Sequence, residues 1–337
     1  MMVDYEYKAT RVLDLEIVNL LTTLHEYKLS QDLLNKDDVK FQSRAISNTL
    51  QRNCKAYCDV IGGEISSLEL KKLILQESVP TTNEVECKLA GYRDVLKSIF
   101  ANNQHFSLKL DLIYQFYKDL HKYTDLLHSP RITNAQRGSS SIEDVDEQVE
   151  QLCQAYNNEL EKGTVDPLLL IPLFVKDFES TQIFSVETDT IAQLLSTFLL
   201  CKQGYNVVKY ISVAEHVQKY KRHFNQLEDD TFISFEGCYE YRKYVKTFLE
   251  ILTDVYKDYH SGLANIMEGD TKKADGIKKI ISGKQGKITK TEIIQQSPNV
   301  SQVTIQRVLN EMVKSGEITK IGSGRYTYYT ISKESDK

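Results

Sequence analysis

From Leu13 to Leu263 the apolar residues of this chain recur every three or four positions, and no stretch of that span alternates apolar and polar residues with comparable strength. Such a period lines apolar side chains along one face of a helix, whereas a half-buried strand needs a period of two. The spacing predicts helices over Leu13–Leu33, Ala45–Val60, Ser66–Leu75, Val85–Phe100, Leu108–Leu127, Ile142–Leu160, Pro167–Phe178, Ile191–Gln203 and Tyr239–Leu263. Punctuation agrees: 15 Gly and 5 Pro in 337 residues are few for an all-β or loop-rich chain. Asp166-Pro167 sets a capping residue before a proline at the first helical position, and Ser140 with Glu143 forms a capping box. Gly204 closes the helix that starts near Thr190.

A chain of this length builds two or three domains around a substantial core. Its charge is uneven: Thr271–Lys337 holds 13 Lys and Arg against 6 Asp and Glu, a net +7, while the remainder carries −12. An acidic body thus precedes a basic tail domain, joined by MEGDTKKADG, Met267–Gly276, which reads as a linker. The N-terminal MMVDYEYKAT lacks the basic and apolar regions of a secretory signal. The longest obvious apolar run, PLLLIPLFV, falls far short of the roughly 18 residues of a membrane helix. A cytoplasmic location without a membrane partner is the expectation. Cys54, Cys58, Cys87, Cys153, Cys201 and Cys238 show no CxxC and no His at ligand spacing, so buried free thiols are expected rather than a metal site or a disulfide framework.

The tail reads differently. Over Ile288–Ile331 a short helix, Lys290–Gln296, a turn at Ser297-Pro298-Asn299 and a second helix, Ser301–Lys314 with Ser301 as its cap, have helix-turn-helix spacing. Gly316 ends the second helix, and EITKI and RYTYYTI then alternate around Gly322-Ser323-Gly324 as a β-hairpin does. The whole predicts a winged helix. Ile305, Val308, Leu309 and Met312 form the buried face of its second helix. Gln302, Thr304, Gln306, Arg307 and Asn310 are left to face outward, and Lys320 and Arg325 stand on the hairpin. Amides and arginine hydrogen-bond base edges while cations meet phosphate, so the candidate DNA-binding residues are Gln302, Thr304, Gln306, Arg307, Lys320 and Arg325.

In the body, FVKDFESTQIFSVETDTIAQLLSTFLL, Phe174–Leu200, sets a polar loop between two apolar helical runs. VDPLLLIPLFVKDF, Val165–Phe178, followed by QIFSVETDT and IAQLLSTFLLCKQGYNVVKYISV, resembles the core of the Fic (fido) family without a gap to about Val213. The likeness extends more weakly upstream through GYRDVLKSIF at Gly91 and downstream through the winged helix. It implies a mainly α fold, a helical Fic-like body followed by a small α+β winged-helix domain. The implied division is 1–80 as an N-terminal helical region, 81–268 as the core and 269–337 as the winged helix-turn-helix domain.

Active Fic proteins transfer AMP from ATP to a protein, with the loop His-Pro-Phe-x-Asp-Gly-Asn-Gly-Arg. The resemblance puts the family's histidine, the general base, at Gln182, and an amide takes no proton near neutral pH. The magnesium-holding acid falls on Val186, the glycines on Glu187 and Asp189, the asparagine on Thr188 and the arginine on Thr190. Only Phe184 matches. Two carboxylates stand where phosphate would lie, and Thr188 or Asp189 is expected to cap the following helix. No catalytic residue, cofactor or metal is therefore expected in this degenerate loop, although Glu187 and Asp189 as new catalytic carboxylates remain an alternative. The resemblance also places an inhibitory helix at CDVIGGEISSLELKKLI, with Cys58 at its Ser/Thr position, Gly62 at its glutamate and Gly63 kept. It places a target-binding flap at HSPRITNAQRGSSS, where no strand-turn-strand pattern exists.

The functional expectation is a pseudoenzyme acting as a DNA-binding or signalling regulator, with duplex DNA, a protein partner and a homodimer as candidate partners. Two alternatives stand beside it: an AMP-transferase with a diverged site, and a protein-interaction scaffold that binds no DNA.

Overall fold

The computed structural model describes residues 3–34, 39–75, 83–124, 142–184, 186–224, 238–284, 286–297, 302–322 and 327–331. The chain is mainly helical and divides into two compact units, Met1–Tyr259 and His260–Lys337. The first contains α1 (Tyr5–Val12), α2 (Leu15–Leu34), α3 (Val39–Val60), α4 (Ser67–Leu75), α5 (Glu84–Asn102), α6 (Leu110–Leu120), α7 (Ile142–Lys162), α8 (Pro167–Thr181), α9 (Thr188–Lys202) and α10 (Val213–Phe224). A short 3₁₀ turn, Asn206–Lys209, follows α9. The long helix α11 runs Cys238–Gly283.

The pair α8 and α9 lies at the centre of the first unit. Asp166 caps α8, its Oδ1 accepting from the Leu168 N–H at 2.8 Å, and Pro167 occupies the first turn, where its missing N–H costs nothing. Twelve of the fifteen residues of α9 are buried, which its sequence dictates: a helix apolar on all sides has to be enclosed by other elements. It packs on α8, α5 and α6, while α8 also meets α7 and α1. Past Gln203 the chain turns through Gly204 at φ +82, with Tyr205 N–H bonded to the Leu200 carbonyl and Gly204 N–H to that of Cys201. That is the glycine-closed helix end that the sequence predicts. At Gly91, α5 crosses the end of α6 so closely that a Cβ there would lie 2.0 Å from the Leu120 carbonyl oxygen.

Polar clasps fix the outer helices. Lys8 of α1 pairs with the buried Asp177 of α8 at 2.6 Å, and Tyr241 of α11 donates to the same carboxylate. Lys246 of α11 reaches Glu16 of α2 at 2.6 Å, beside Arg242 bonded to Asp14. Burial pushes the Cys54, Cys153 and Cys201 thiols up to about 12, and Cys87, which forms no disulfide, is half-buried.

The second unit is α+β. Ile277 and Ile281 of α11 join a core with Ile293 of α12 (Lys290–Gln296) and Ile305, Val308, Leu309 and Met312 of α13 (Gln302–Lys314). Strands β1 (Ile288–Thr289), β2 (Ile318–Ile321) and β3 (Tyr328–Ile331) form an antiparallel sheet in the order β1-β3-β2, with Lys320 opposite Tyr329. Thr289 and Glu292 make a reciprocal capping box at the start of α12. Lys284 lies 2.5 Å from Glu292, and this cation together with the Thr289 bonds holds the carboxyl down at about 2. Gly316 ends α13 at φ +78, as its position predicts.

One segment is more regular than its composition suggests. Met267–Gly276, which composition marks as a linker, is helical throughout and belongs to α11. Its Lys, Glu, Ala, Asp and Thr residues are compatible with a helix, and each glycine costs only about 1 kcal/mol against alanine. The predicted capping residues Ser140 and Ser301 and the Pro298-Asn299 turn lie outside the described residues. Among the described residues, no helix is long and apolar enough to cross a membrane.

Candidate functional site

Between α8 and α9 the chain reverses through a short loop held from inside. Gln182 takes the left-handed conformation at φ 47, and its side-chain N–H donates to the Glu179 carbonyl at 2.9 Å, so the amide folds back on its own helix. Ile183 and Phe184 then plunge into the core, fully buried. Phe184 stacks on Tyr117 of α6, with ring centroids 4.1 Å apart, and meets Tyr114 edge-on. Val186 is half exposed, and its side chain carries no oxygen.

The start of α9 corrects the capping expectation. The helix begins at Thr188 with Glu187 as its N-cap residue, and the Glu187 side chain does not cap it. Thr188 instead hydrogen-bonds back to Phe184, donating to its carbonyl at 3.1 Å and accepting from its N–H at 3.3 Å. Asp189 is exposed in the first turn, on the rim of a cleft of about 540 Å³ that it shares with Lys176, Glu179 and Tyr244. Thr190 is buried. The buried loop wins Thr188 because an unpaired buried backbone group costs more than an open helix end at the surface.

Glu187 has a partner that the sequence does not reveal. Its Oε2 accepts from the Tyr57 hydroxyl of α3 at 2.7 Å, across 130 positions of chain. Tyr57 lies on Tyr92 with centroids 4.4 Å apart. Burial, and then the Glu187 charge, hold its phenol well above the ordinary range, so it donates and does not ionise. Glu187 itself is left-handed at φ 66, a conformation costly for a residue with a side chain and natural to glycine. The resemblance places a family glycine at this position. The backbone there has the glycine shape while the side chain is a carboxylate.

His121, at the end of α6, also escaped sequence reading. The ring is buried, neither nitrogen has a hydrogen-bond partner among the described residues, and the ring centroid lies 4.5 Å from that of Tyr117. Burial lowers its pKa, the Glu187 charge opposes that and Lys88 adds to it. The segment matched to the inhibitory helix comprises the end of α3, the bend after it and most of α4: Gly63 N–H bonds to the Cys58 carbonyl and Gly62 is left-handed at φ 66. The adjacent Tyr57 is what reaches the loop. The segment matched to the flap lies outside the described residues.

In the second unit, α13 buries Ile305, Val308, Leu309 and Met312 and exposes Gln302, Arg307 and Asn310, with Gln306 half-buried. These polar residues border a shallow cleft of about 620 Å³ that Lys290 and Lys314 also line. Gln306 donates to Asn310 at 3.1 Å, and Arg307 lies 4.0 Å from Glu311. Lys320 is exposed on β2. Thr304 belongs to α13, but its side chain, like the whole of Arg325, lies outside the described residues. The described candidate DNA-contacting residues thus divide between one helix face and one strand.

No protein-family model and no curated protein matches the chain. Solved structures do. A Fic family protein from Desulfovibrio desulfuricans G20 superposes with a TM-score of 0.54 at 13% identity, over 96% of this chain and 98% of that one. A Fic domain containing signaling protein from Bacteroides thetaiotaomicron VPI-5482 gives 0.52 at 16% identity, covering 72% of this chain and 97% of its own. Fic-1 from C. elegans gives 0.53 at 17%, with 71% of each chain covered. The fold is that of Fic proteins, as the loop and its flanking helices led one to expect.

Proposed function

We propose that this chain is a Fic-family protein that no longer transfers nucleotide and that works in the cytoplasm as a regulator, binding duplex DNA through a C-terminal winged helix. The observation that carries the reading is the Tyr57–Glu187 hydrogen bond at the start of α9, which fixes an anion where a phosphate would be received. ATP with magnesium does not fit the residues present. Val186 offers a hard cation no side-chain oxygen, Gln182 is spent on the Glu179 carbonyl, Thr190 is buried where an arginine would reach the nucleotide, and Glu187 and Asp189 repel polyphosphate.

Calorimetric titration with ATP and magnesium is expected to give no heat of binding at millimolar nucleotide, and the intact mass is expected not to rise by one AMP on incubation. A saturable isotherm or an AMP adduct reverses the reading in favour of a diverged transferase. For the other half of the proposal, the support is an exposed α13 face of amides and cations above an apolar core, in a segment of net positive charge. Full-length protein should bind duplex DNA with an affinity that falls steeply as salt rises, because each phosphate contact releases counterions.

A further inference from the structure

The outward face of α13 holds three amides on one ridge, Gln302, Gln306 and Asn310, spaced four residues apart. Residues so spaced stand above one another on a helix, about 6 Å apart along its axis, close to two base-pair steps of roughly 3.4 Å. Gln306 and Asn310 are joined by a 3.1 Å hydrogen bond, which orients both side chains before any partner arrives. The free groups of the pair are N–H donors and carbonyl acceptors side by side. In the major groove only adenine shows the matching acceptor and donor, N7 and the N6 amino group, and a Gln or Asn amide bonds both at once.

Guanine asks instead for a bidentate cation. Arg307 lies 4.0 Å from the Glu311 carboxylate, and Glu311 also lines the cleft, so its charge offsets the cation that would select guanine. Lys290 and Lys314, which also line the cleft, are suited to phosphate. We infer that the Gln306–Asn310 pair makes α13 a reader of adenine, selecting A·T pairs two steps apart in the major groove. The inference rests on the reading of the second unit as a duplex-binding module.

The test uses the full-length chain and a pool of randomised duplexes, selected at about 50 mM salt. Enriched sequences should share adenines at a fixed spacing of two steps. Replacing those adenines by 7-deazaadenine, which removes only the N7 acceptor, should weaken binding about tenfold at each position. Gln306→Ala and Asn310→Ala should keep the unfolding temperature and abolish the 7-deaza effect, whereas Lys290→Ala should weaken every duplex alike. Enriched sequences without the adenine pattern, or indifference to 7-deazaadenine, overturn the adenine assignment while leaving DNA binding in place. Absence of binding to the pool at that salt overturns both.

Discussion

The start of α9 and the outer face of α13 are both polar surfaces on apolar helices, and they have opposite surroundings. At α9 the polar atoms are few, and most are consumed within the protein: Thr188 by Phe184, Glu187 by Tyr57, Gln182 by Glu179. Along α13 Gln306 and Asn310 hydrogen-bond to each other and Arg307 lies at long ion-pair distance from Glu311, and Gln302, Arg307 and Asn310 are exposed to solvent. A helix end whose side chains are bonded inward is part of the fold, and its substitutions are read in stability. A helix face whose side chains look outward is available for recognition, and its substitutions are read in binding. The contrast can be broken by experiment from either side.

The strongest test is Gly91→Ala. A Cβ 2.0 Å from a backbone oxygen forces α5 away from the end of α6, which carries Tyr117 beneath the loop. A loss of about 3 kcal/mol in denaturant unfolding is expected. A change near zero would show that the frame beneath α9 yields easily, and the contrast with α13 would weaken. Next in size is Glu187. Its replacement by alanine leaves the Tyr57 hydroxyl without its acceptor and should cost about 2 kcal/mol. Replacement by glycine loses the same bond but relieves the left-handed backbone, so it should be about 1 kcal/mol less harmful. Equal losses from the two variants would refute the strain assigned to φ 66.

The smallest effect is one of pH. The folded pKa of His121 is depressed, with burial the largest cause, below its ordinary value of 6.5. The unfolded chain therefore takes up the proton first as pH falls. Stability that is complete above about pH 6.5 is lost as the solution is acidified toward the folded pKa. The charges around the ring are Glu187 on the loop and Lys88 on α5, with the Tyr117 ring against it. Comparing urea midpoints of the native protein and His121→Leu between pH 7.5 and 5.5 isolates this residue. The native protein should lose more over that interval, and parallel losses would remove His121 from the account.

Much of this was written locally in the sequence. Asp166-Pro167 started α8, Gly204 and Gly316 closed two helices in the left-handed conformation, and Ile305, Val308, Leu309 and Met312 set the buried face of α13. Each depends on neighbours within a few positions, where period and cap chemistry act. The partner of Glu187 depends on how α3 lies against the α8–α9 loop, and no local rule reports a tyrosine 130 positions away. The capping expectation failed for a related reason. Thr188 had two uses, at the helix end or against the buried Phe184 backbone, and burial decided between them. His121 gave no signal because a lone histidine after an apolar run is, in sequence, an ordinary surface residue.

The buried thiols give the protein its own clock. Cys54 of α3, Cys153 of α7 and Cys201 of α9 are enclosed and hard to ionise, so an alkylating reagent reaches each of them only when its helix opens. Cys87, half-buried on α5, is the more accessible reference. Brief labelling followed by peptide mass analysis would therefore time the opening of α3, α7 and α9 separately in the native sequence. It would show whether the α8–α9 junction breathes on its own or lets go only with the whole body.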